Sequence, residues 1–310
     1  MKDNKLLISH LCMLAACIFW GLMSPLGKDA MTHGISGVDM VSFRVAGAAL
    51  LFWALSLFTP KERLSPREIL IFIPAAIFGI VLNQCGFTIG LSITSPGNAS
   101  IVTTTLPIFA MIMAFLILHE PITWKKAGGV LLGCAGAVML VLMSAASSDS
   151  RVGNIKGDLI VMGAQVSYAF FLSTFNPIVK KYSVVTVNKW MFLFAALMIW
   201  PFTVGHVSRI EWAAVPARAY LETAYVVVVG TFISYILLIN AQKSLRPTVV
   251  AVYNYVQPIV ALTVSVLTGL GVFSPLQGVS IVLIFLGVML VNKSRAKGEA
   301  MSLKQGQPEK

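Results

Sequence analysis

The residues of this sequence that could bind a small molecule are uncharged polar and aromatic side chains embedded in long apolar stretches. Hydrocarbon offers such polar groups no hydrogen-bond partner, so they must face protein or a water-filled cavity. We therefore predict a central cavity. The side chains predicted to line it are Trp20, Asn83, Gln84, Thr103, Tyr168, Tyr235, Tyr253, Asn254 and Gln257. The alternative for any single member is a hydrogen bond between helices that has no role in binding.

Two prolines, Pro107 and Pro258, lie inside predicted helices. A proline inside a helix removes one backbone hydrogen bond and bends the helix. Each proline is predicted to act either as a static kink or as a point at which the helix flexes. Glu120 lies at the end of the helix that contains Pro107. We predict that Glu120 either pairs with Lys125 or Lys126 and fixes this corner, or acts as a gate.

Arg44 is a charged residue within an apolar stretch, where the burial of a charge is costly. It could reach the surface or pair with Asp39; the alternative is that it attracts an anionic or carboxylate-bearing solute. The acidic residues, by contrast, lie at the ends of apolar stretches or in loops. Glu222 is one of these and is expected at the outer surface.

Several classes of chemistry are excluded by residue types and spacing. The four histidines are scattered, and the four cysteines lie in apolar stretches without metal-ligand spacing. No glycine-rich phosphate loop occurs. We therefore expect no cofactor, no metal and no catalytic activity. The net charge of +11 is spread over short loops instead of forming a patch, so we expect no nucleic-acid partner.

Composition places the chain in a lipid bilayer. Of the 310 residues, 57% are hydrophobic and 11% are charged, whereas a soluble domain carries about 25% charged residues. A helix needs about 20 apolar residues to cross the membrane. We predict an all-α integral membrane protein with ten transmembrane helices, numbered 1 to 10. The predicted spans are residues 7–27, 36–58, 69–91, 98–118, 126–144, 157–179, 187–205, 220–240, 248–270 and 275–292.

Lysine and arginine residues are unevenly divided between the two sets of loops. One set of loops, together with the two chain ends, holds 17 of the 23 basic residues, and the opposite loops hold five. Basic residues accumulate in short loops on the cytoplasmic side of a membrane. We predict a multi-pass protein of the cell (inner) membrane with both termini in the cytoplasm.

The second half of the chain repeats the first after a shift of 151 residues. In this register Pro107 matches Pro258 and the hydropathy profiles coincide. We predict a first repeat at 1–144, a linker at 145–156, a second repeat at 157–292 and a disordered cytoplasmic tail at 293–310. Each repeat has five spans, an odd number, so the second repeat is inverted in the membrane. The corner "LHEPITWKK" is accordingly charged, whereas its counterpart "GLGVFSPLQ" is not.

Four stretches carry a resemblance to known proteins. They are "ACIFWGLMSPLGK" at 16–28, residues 90–141 with "LPIFAMIMAFLILHEP", "GDLIVMGAQVSYAFFLSTFNPIVKKY" at 157–182, and "QKSLRPTVVAVYNYVQPIVALTVSVL" at 242–267. With these stretches and Arg44, the chain resembles the drug/metabolite transporter superfamily in its EamA-type, ten-helix form. Gly271 is a departure, because many second repeats have a Glu at the position that corresponds to Glu120.

The resemblance implies a secondary transporter with two inverted repeats, which can alternate access to a site between them. The expected function is export of small metabolites such as amino acids or related amphiphiles. The alternatives are a proton-coupled drug efflux carrier and, in a different class, a membrane enzyme or scaffold. Proton-coupled carriers usually have a carboxylate inside a span. No Asp or Glu lies in the middle of a predicted span, which favours transport along the gradient of the solute.

Predicted helices 5 and 10 contain almost only apolar or small residues. Gly129 and Gly133 form a small-xxx-small face on helix 5, which favours close approach of another helix. We expect these two helices to act as a scaffold or as the contact of a homodimer. The other expected partners are the lipid bilayer and the small-molecule solute.

Overall fold

The computed structural model describes residues 2–94, 99, 102–120, 122–147, 155–267 and 275–293, and all regular secondary structure in these ranges is helical. The predicted all-α class is therefore confirmed for them. Residues 148–154 of the predicted linker and the predicted disordered tail after Lys293 lie outside the described residues.

The first half of the chain contains five helices. They are α1 (Lys2–Thr32), α2 (Gly37–Ser56), α3 (Pro66–Ile93), α4 (Leu106–Leu118) and α5 (Trp124–Ser147).

The second half contains the corresponding helices, some of them in segments. They are α6 (Ile155–Thr174, followed after Phe175 by Asn176–Lys181), α7 (Val184–Val207), α8 (Ala217–Ser244), α9 (Pro247–Val252, Tyr253–Tyr255 and Val256–Leu267) and α10 (Pro275–Lys293).

Six helices in the described residues are long and apolar enough to cross a membrane. They are Asn4–Thr32, Gly37–Ser56, Pro66–Ile93, Ile155–Thr174, Val184–Val207 and Ala217–Ser244. Leu106–Leu118 and Gly278–Val291 are shorter apolar helices. The architecture is that of a helical membrane protein, and ten membrane crossings remain a prediction.

Helix α2 begins with a capping box formed by Ser36 and Asp39. The backbone N–H of Asp39 donates to the Ser36 hydroxyl at 3.2 Å, and the N–H and hydroxyl of Ser36 donate to the Asp39 carboxylate at 2.9 and 2.6 Å. This exchange satisfies N–H groups that have no partner inside the helix. The Asp39 carboxylate is thus used by its own helix.

Helices α3 and α8 each contain a π-helical segment, at Ile77–Cys85 and Val228–Ile233. The two segments start 151 residues apart, which is the shift that relates the two repeats. A π-helical segment changes the backbone hydrogen-bond pattern and is often found at functional sites. The repeats therefore share a local irregularity as well as a sequence pattern.

The two prolines do not kink continuous α-helices. Residues 104–105 form a turn, and α4 starts at Leu106, so Pro107 occupies the first turn of its helix. Pro258 follows the 3₁₀ turn Tyr253–Tyr255 in α9. The expected mid-helix kink is thus replaced in both repeats by a break just before the proline. A proline fits there because N–H groups in a first helical turn have no acceptor inside the helix.

Corresponding helices of the two halves make corresponding contacts with the opposite half. Helix α1 contacts α8 and α9, and its counterpart α6 contacts α3 and α4. The corresponding pairs α2 with α7, α4 with α9 and α5 with α10 also contact each other. The halves are therefore intertwined about an approximate two-fold relation, and helices of both halves surround the centre.

The close contact between α5 and α10 depends on glycines. A Cβ atom built on Gly129 would lie 2.8 Å from the Gly287 carbonyl oxygen, and one on Gly287 would lie 2.6 Å from the Gly129 oxygen. Gly133 lies against the ring of Tyr255. The small-residue face of α5 is thus occupied within the chain.

Candidate functional site

A cavity of about 50 Å³ lies between the two halves of the chain. Eight of the nine residues predicted to line it do so, and the exception is Tyr253. Met23, Phe87 and Gln165 line it in addition. The lining residues are Trp20, Met23, Asn83, Gln84, Phe87, Thr103, Gln165, Tyr168, Tyr235, Asn254 and Gln257. They come from α1, α3, α6, α8, α9 and, with Thr103, from the helical residues just before the turn at 104–105.

Two pairs of lining residues are related by the repeat shift of 151 residues. Gln84 corresponds to Tyr235, and Thr103 corresponds to Asn254. The Gln84 amide donates to the Tyr235 hydroxyl at 2.6 Å, and this hydroxyl donates to the Gly79 carbonyl at 3.2 Å. Equivalent positions of the two repeats therefore meet in the cavity wall.

The other amide side chains of the cavity are held by hydrogen bonds. The amide of Asn83 donates to the Ala164 carbonyl at 3.0 Å, which links α3 to α6. The amide of Gln257 donates to the Asn254 oxygen at 2.6 Å, and the Asn254 amide donates to the Ala251 carbonyl at 3.0 Å. These contacts fix the orientation of polar groups that hydrocarbon would leave unsatisfied.

Trp20 connects the cavity to the π-helical segment of α8. Its indole N–H donates to the carbonyl of Gly230 at 2.9 Å, and its ring lies edge-on to Tyr235 with centroids 6.4 Å apart. The indole thereby satisfies its own donor and leaves its apolar ring in the cavity wall.

Tyr253 lies apart from the cavity, although it was predicted to line it. Its hydroxyl contacts Nδ1 of His10 at 2.7 Å, which joins α9 to the start of α1. Tyr253 belongs to the 3₁₀ turn of α9, which alters the rotation between successive side chains compared with an α-helix. Asn254, the next residue, lines the cavity instead.

Arg44 neither reaches the surface nor pairs with Asp39, so both structural expectations were wrong. It is 2% exposed, and the Asp39 carboxylate is held by Ser36. The Arg44 guanidinium donates to the hydroxyl of Thr88 at 2.6 Å, to that of Thr231 at 3.1 Å, and to the carboxamide oxygen of Gln84. It therefore links α2 to the irregular parts of α3 and α8.

Glu120 pairs with Lys126, as one of the two predicted alternatives required. The Lys126 ammonium lies 2.5 Å from the Glu120 carboxylate and is itself buried. His119 ends α4 with a left-handed φ of 52°, directly before Glu120. The hydroxyl of Thr248, at the start of α9, donates to the same carboxylate at 3.4 Å. Glu120 thus joins the two halves.

A second charged cluster joins the halves at the opposite end of α8. Arg218 lies 2.8 Å from Glu222 on its own helix and 3.1 Å from Asp29 on α1, and His33 lies 3.6 Å from Asp29. Glu222, which we expected at the outer surface, has a side chain that is buried within the protein, with 6% exposed. Sequence spacing could not bring Asp29 and Glu222 together, since they belong to different repeats.

A third contact between the halves involves the loop before α3. The backbone N–H of Ser183 donates to both carboxylate oxygens of Glu62 at 3.0 Å. Burial alone would raise the pKa of Glu62, but hydrogen bonds from Thr186 and Ser183 outweigh it, so the pKa lies below its ordinary value. The loop carboxylate therefore stays ionised and holds the start of α7.

Sequence reasoning missed three lining residues. Met23 and Phe87 are apolar, and nothing in a membrane sequence distinguishes an apolar residue that faces a cavity from one that faces a helix. Gln165 is a polar residue within an apolar span, and the signal that found Asn83 could have found it.

The cavity is smaller than the 300–1,000 Å³ that ligand pockets usually have. Its volume suffices for a few water molecules at most. A metabolite with a dozen non-hydrogen atoms would fit only after the surrounding helices separate. The described residues contain no group of three or more His, Cys, Asp or Glu side chains that could hold a metal ion.

Known proteins resemble this chain in sequence and in fold. An uncharacterized transporter of Archaeoglobus fulgidus is 26% identical over 184 residues, 59% of this chain and 63% of the relative. The S-adenosylmethionine/S-adenosylhomocysteine transporter of Chlamydia muridarum is 24% identical and covers 78% of each chain. A crystal structure with 16% identity superimposes with a TM-score of 0.70 over 92% of this chain and 98% of its own, which shows a shared fold.

The family match accounts for both halves of the chain. The EamA-like transporter family matches residues 7–142 and again residues 155–293. The first match lies within the predicted first repeat, and the second spans the predicted second repeat. This family consists of transporters rather than enzymes. The chain therefore belongs to the EamA-like transporter family and is a multi-pass membrane protein of that family.

Proposed function

We propose that this protein is a secondary transporter that exports small amphiphilic metabolites, such as amino acids or related compounds. The observation that carries the proposal is the cavity between the two repeats, whose wall combines aromatic, amide and hydroxyl side chains. Such a mixture is typical of sites that bind small molecules, in which a few polar groups set the orientation of the ligand.

Alternating access would open the cavity to one side of the membrane at a time. The Glu120–Thr248 contact and the Asp29–Arg218 contact both join the two halves, and they lie at opposite ends of α8. A helix of 28 residues is about 40 Å long. Breaking one contact while the other holds would let the halves rock about the cavity, as inverted repeats do.

The lining residues favour an amphiphilic solute. The apolar lining residues Trp20, Met23 and Phe87 lie on α1 and α3, and the amides come from α3, α6 and α9. The Chlamydia muridarum relative is named as a transporter of S-adenosylmethionine and S-adenosylhomocysteine. An amino acid with an apolar side chain has a charged end and an apolar end. The polar side chains of the cavity could bind the first, and the apolar side chains could contact the second.

The proposed topology has ten membrane spans and inverted repeats, with both termini in the cytoplasm and the cell (inner) membrane as the location. The 17-to-5 division of basic residues between the two sets of loops supports this orientation. A homodimer through α5 and α10 would use their outer faces, which carry Leu131, Val282 and Phe285. The glycine faces of these two helices already contact each other.

Transport assays in proteoliposomes test the proposed function. The protein is reconstituted, and uptake of labelled amino acids and N-acetyl amino acids is measured against protein-free vesicles. Asn83→Ala and Gln257→Ala should lower uptake about tenfold or more at equal protein content, since each removes a polar group of the cavity. Ile281→Ala on α10 is the control and should transport normally. Equal behaviour of the three variants would exclude the cavity as the transport site.

We propose that transport follows the solute gradient, because no Asp or Glu lines the cavity among the described residues. Proton coupling is the second candidate, and the approach of Asp29 and Glu222 to the same arginine favours it. Imposing a pH gradient on loaded vesicles at clamped membrane potential distinguishes the two. Accumulation above equilibrium that a protonophore abolishes, and that Glu222→Gln removes, would establish proton coupling.

A further inference from the structure

A positive charge is buried beside the cavity. The guanidinium of Arg44 has five N–H donors, and its hydrogen-bond acceptors are the neutral oxygens of Thr88, Thr231 and Gln84. The side chain is 2% exposed, so water does not solvate it. Burying a charge without a counter-charge in a membrane protein is costly, and such residues usually have a function.

No carboxylate in the described part of the chain forms an ion pair with Arg44. Most carboxylates are bound by other groups. These pairs are Asp29 and Glu222 with Arg218, Asp39 with Ser36, Glu62 with Ser183, Glu68 with Lys181, Glu120 with Lys126, and Asp158 with Thr94.

Gln84 connects this charge to the cavity. Its carboxamide oxygen accepts from Arg44, and its amide nitrogen donates one hydrogen to Tyr235. An amide whose oxygen is bound to a cation becomes a stronger donor, because hydrogen bonds in a chain polarise one another. Gln84 and Tyr235 both line the cavity, and among the described residues none that lines it is charged. The charged group next to Gln84 is the guanidinium of Arg44, which is positive.

We infer that the transported solute carries a carboxylate, which accepts the second amide hydrogen of Gln84, next to Tyr235, with Arg44 as its counter-charge. This inference rests on the proposed function and names the class of solute. Arg44 is buried, so the effective dielectric constant around it is lower than in water and its attraction to a carboxylate is stronger than at an exposed site. The same field disfavours a solute whose only charge is positive. The apolar part of the solute contacts Trp20 and Phe87.

Three probes that share the leucine side chain but differ in charge test the inference. They are N-acetyl-leucine (anionic), N-acetyl-leucinamide (neutral) and leucinamide (cationic). Binding to the full-length protein in nanodiscs is measured by calorimetry for each probe. An ionic hydrogen-bond partner typically contributes about 10- to 100-fold in affinity. N-acetyl-leucine should therefore bind at least about tenfold more tightly than the neutral probe, and leucinamide should bind more weakly than both.

Arg44→Gln should remove this preference, and Arg44→Lys should retain part of it because it keeps the charge. A purely structural role of Arg44 would lower stability without changing the order of the probes. Lys28→Gln is the control, since Lys28 is a cation of α1 that donates to the carbonyls of Leu91 and Ser92 outside the cavity.

The comparison of probes on the unmodified protein does not depend on folding of any variant. Equal affinity for the anionic and neutral probes, failure of the anion to bind, or a preference that survives in Arg44→Gln would overturn the inference. If the inference fails but neutral solutes are still taken up, the proposed transport function stands. Absence of uptake for every solute would instead reject the proposed function.

Discussion

At the scale of single residues, the cavity wall contains a hydrogen-bonded pair, Gln84 and Tyr235, from equivalent positions of the two repeats. Residue types alone predicted eight of the cavity's lining residues, because polar groups inside apolar spans have few alternatives. Residue types could not exclude Tyr253, since the side to which it points depends on the 3₁₀ turn of α9. They also could not resolve the alternatives for Arg44, whose partners lie on α3 and α8.

Removal of one hydroxyl tests the residue pair. Tyr235→Phe abolishes the acceptor for Gln84 and the donor to Gly79, so we expect solute affinity to fall about 3- to 10-fold. Tyr255→Phe makes the same chemical change at a buried tyrosine outside the cavity, whose hydroxyl donates to the Val130 carbonyl. That control should lose about 1 kcal/mol of stability and keep its solute affinity. Both quantities are measured by calorimetry and thermal unfolding in nanodiscs. Equal effects of the two variants on affinity would contradict a special role for Tyr235.

At the scale of helices, the sequence predicts where most helices lie but not their irregularities. The spans follow from hydropathy, and α2 starts at a capping box that the residues Ser36 and Asp39 encode. The π-helical segments of α3 and α8 have no comparable signal, because both sequences read as ordinary apolar helix. The breaks before Pro107 and Pro258 were expected as kinks. A proline marks a disturbed helix without specifying whether the helix bends or restarts.

Two neighbouring glycines test the contact between α5 and α10. Gly129→Ala places a methyl group 2.8 Å from a backbone oxygen of α10, so the helices must separate, and we expect a loss of about 1–3 kcal/mol. Gly128→Ala is the matched control, because a Cβ there meets no described residue within 4 Å. This control should be neutral or slightly stabilising, since alanine favours a helix more than glycine does. Thermal unfolding in one detergent measures both. A Gly129→Ala protein as stable as Gly128→Ala would show that the close contact is not needed.

At the scale of the whole molecule, the repeat was detectable from a 151-residue shift, and the family matches the two halves separately. The helix contacts follow the same symmetry, since exchanging the halves relates the contacts of α1 to those of α6. The joining of Asp29 to Arg218 was not predictable, because pairing between distant loops depends on how the halves intertwine. Hydropathy and charge predict the orientation of each helix in the membrane, but they do not predict which other helices it packs against.

The inverted topology predicts the location of two points on the chain. A reporter active only in the cytoplasm should work when fused after Asn292 and fail when inserted within 147–150. This follows from the basic loops, which remain on the cytoplasmic side. Activity at the second site but not at the first would reverse the proposed orientation. Activity at both sites would contradict five spans in the second repeat.

The central claim is that the two halves move against each other to carry a solute through the cavity, and cross-linking tests it most directly. The pair Glu120→Cys and Thr248→Cys joins the halves where the native side chains lie 3.4 Å apart. Uptake into proteoliposomes is measured before cross-linking with a short thiol reagent, after it, and after cleavage of the link. We expect uptake to stop on cross-linking and to return on cleavage. Uptake that continues unchanged in fully cross-linked protein would contradict alternating access between the repeats.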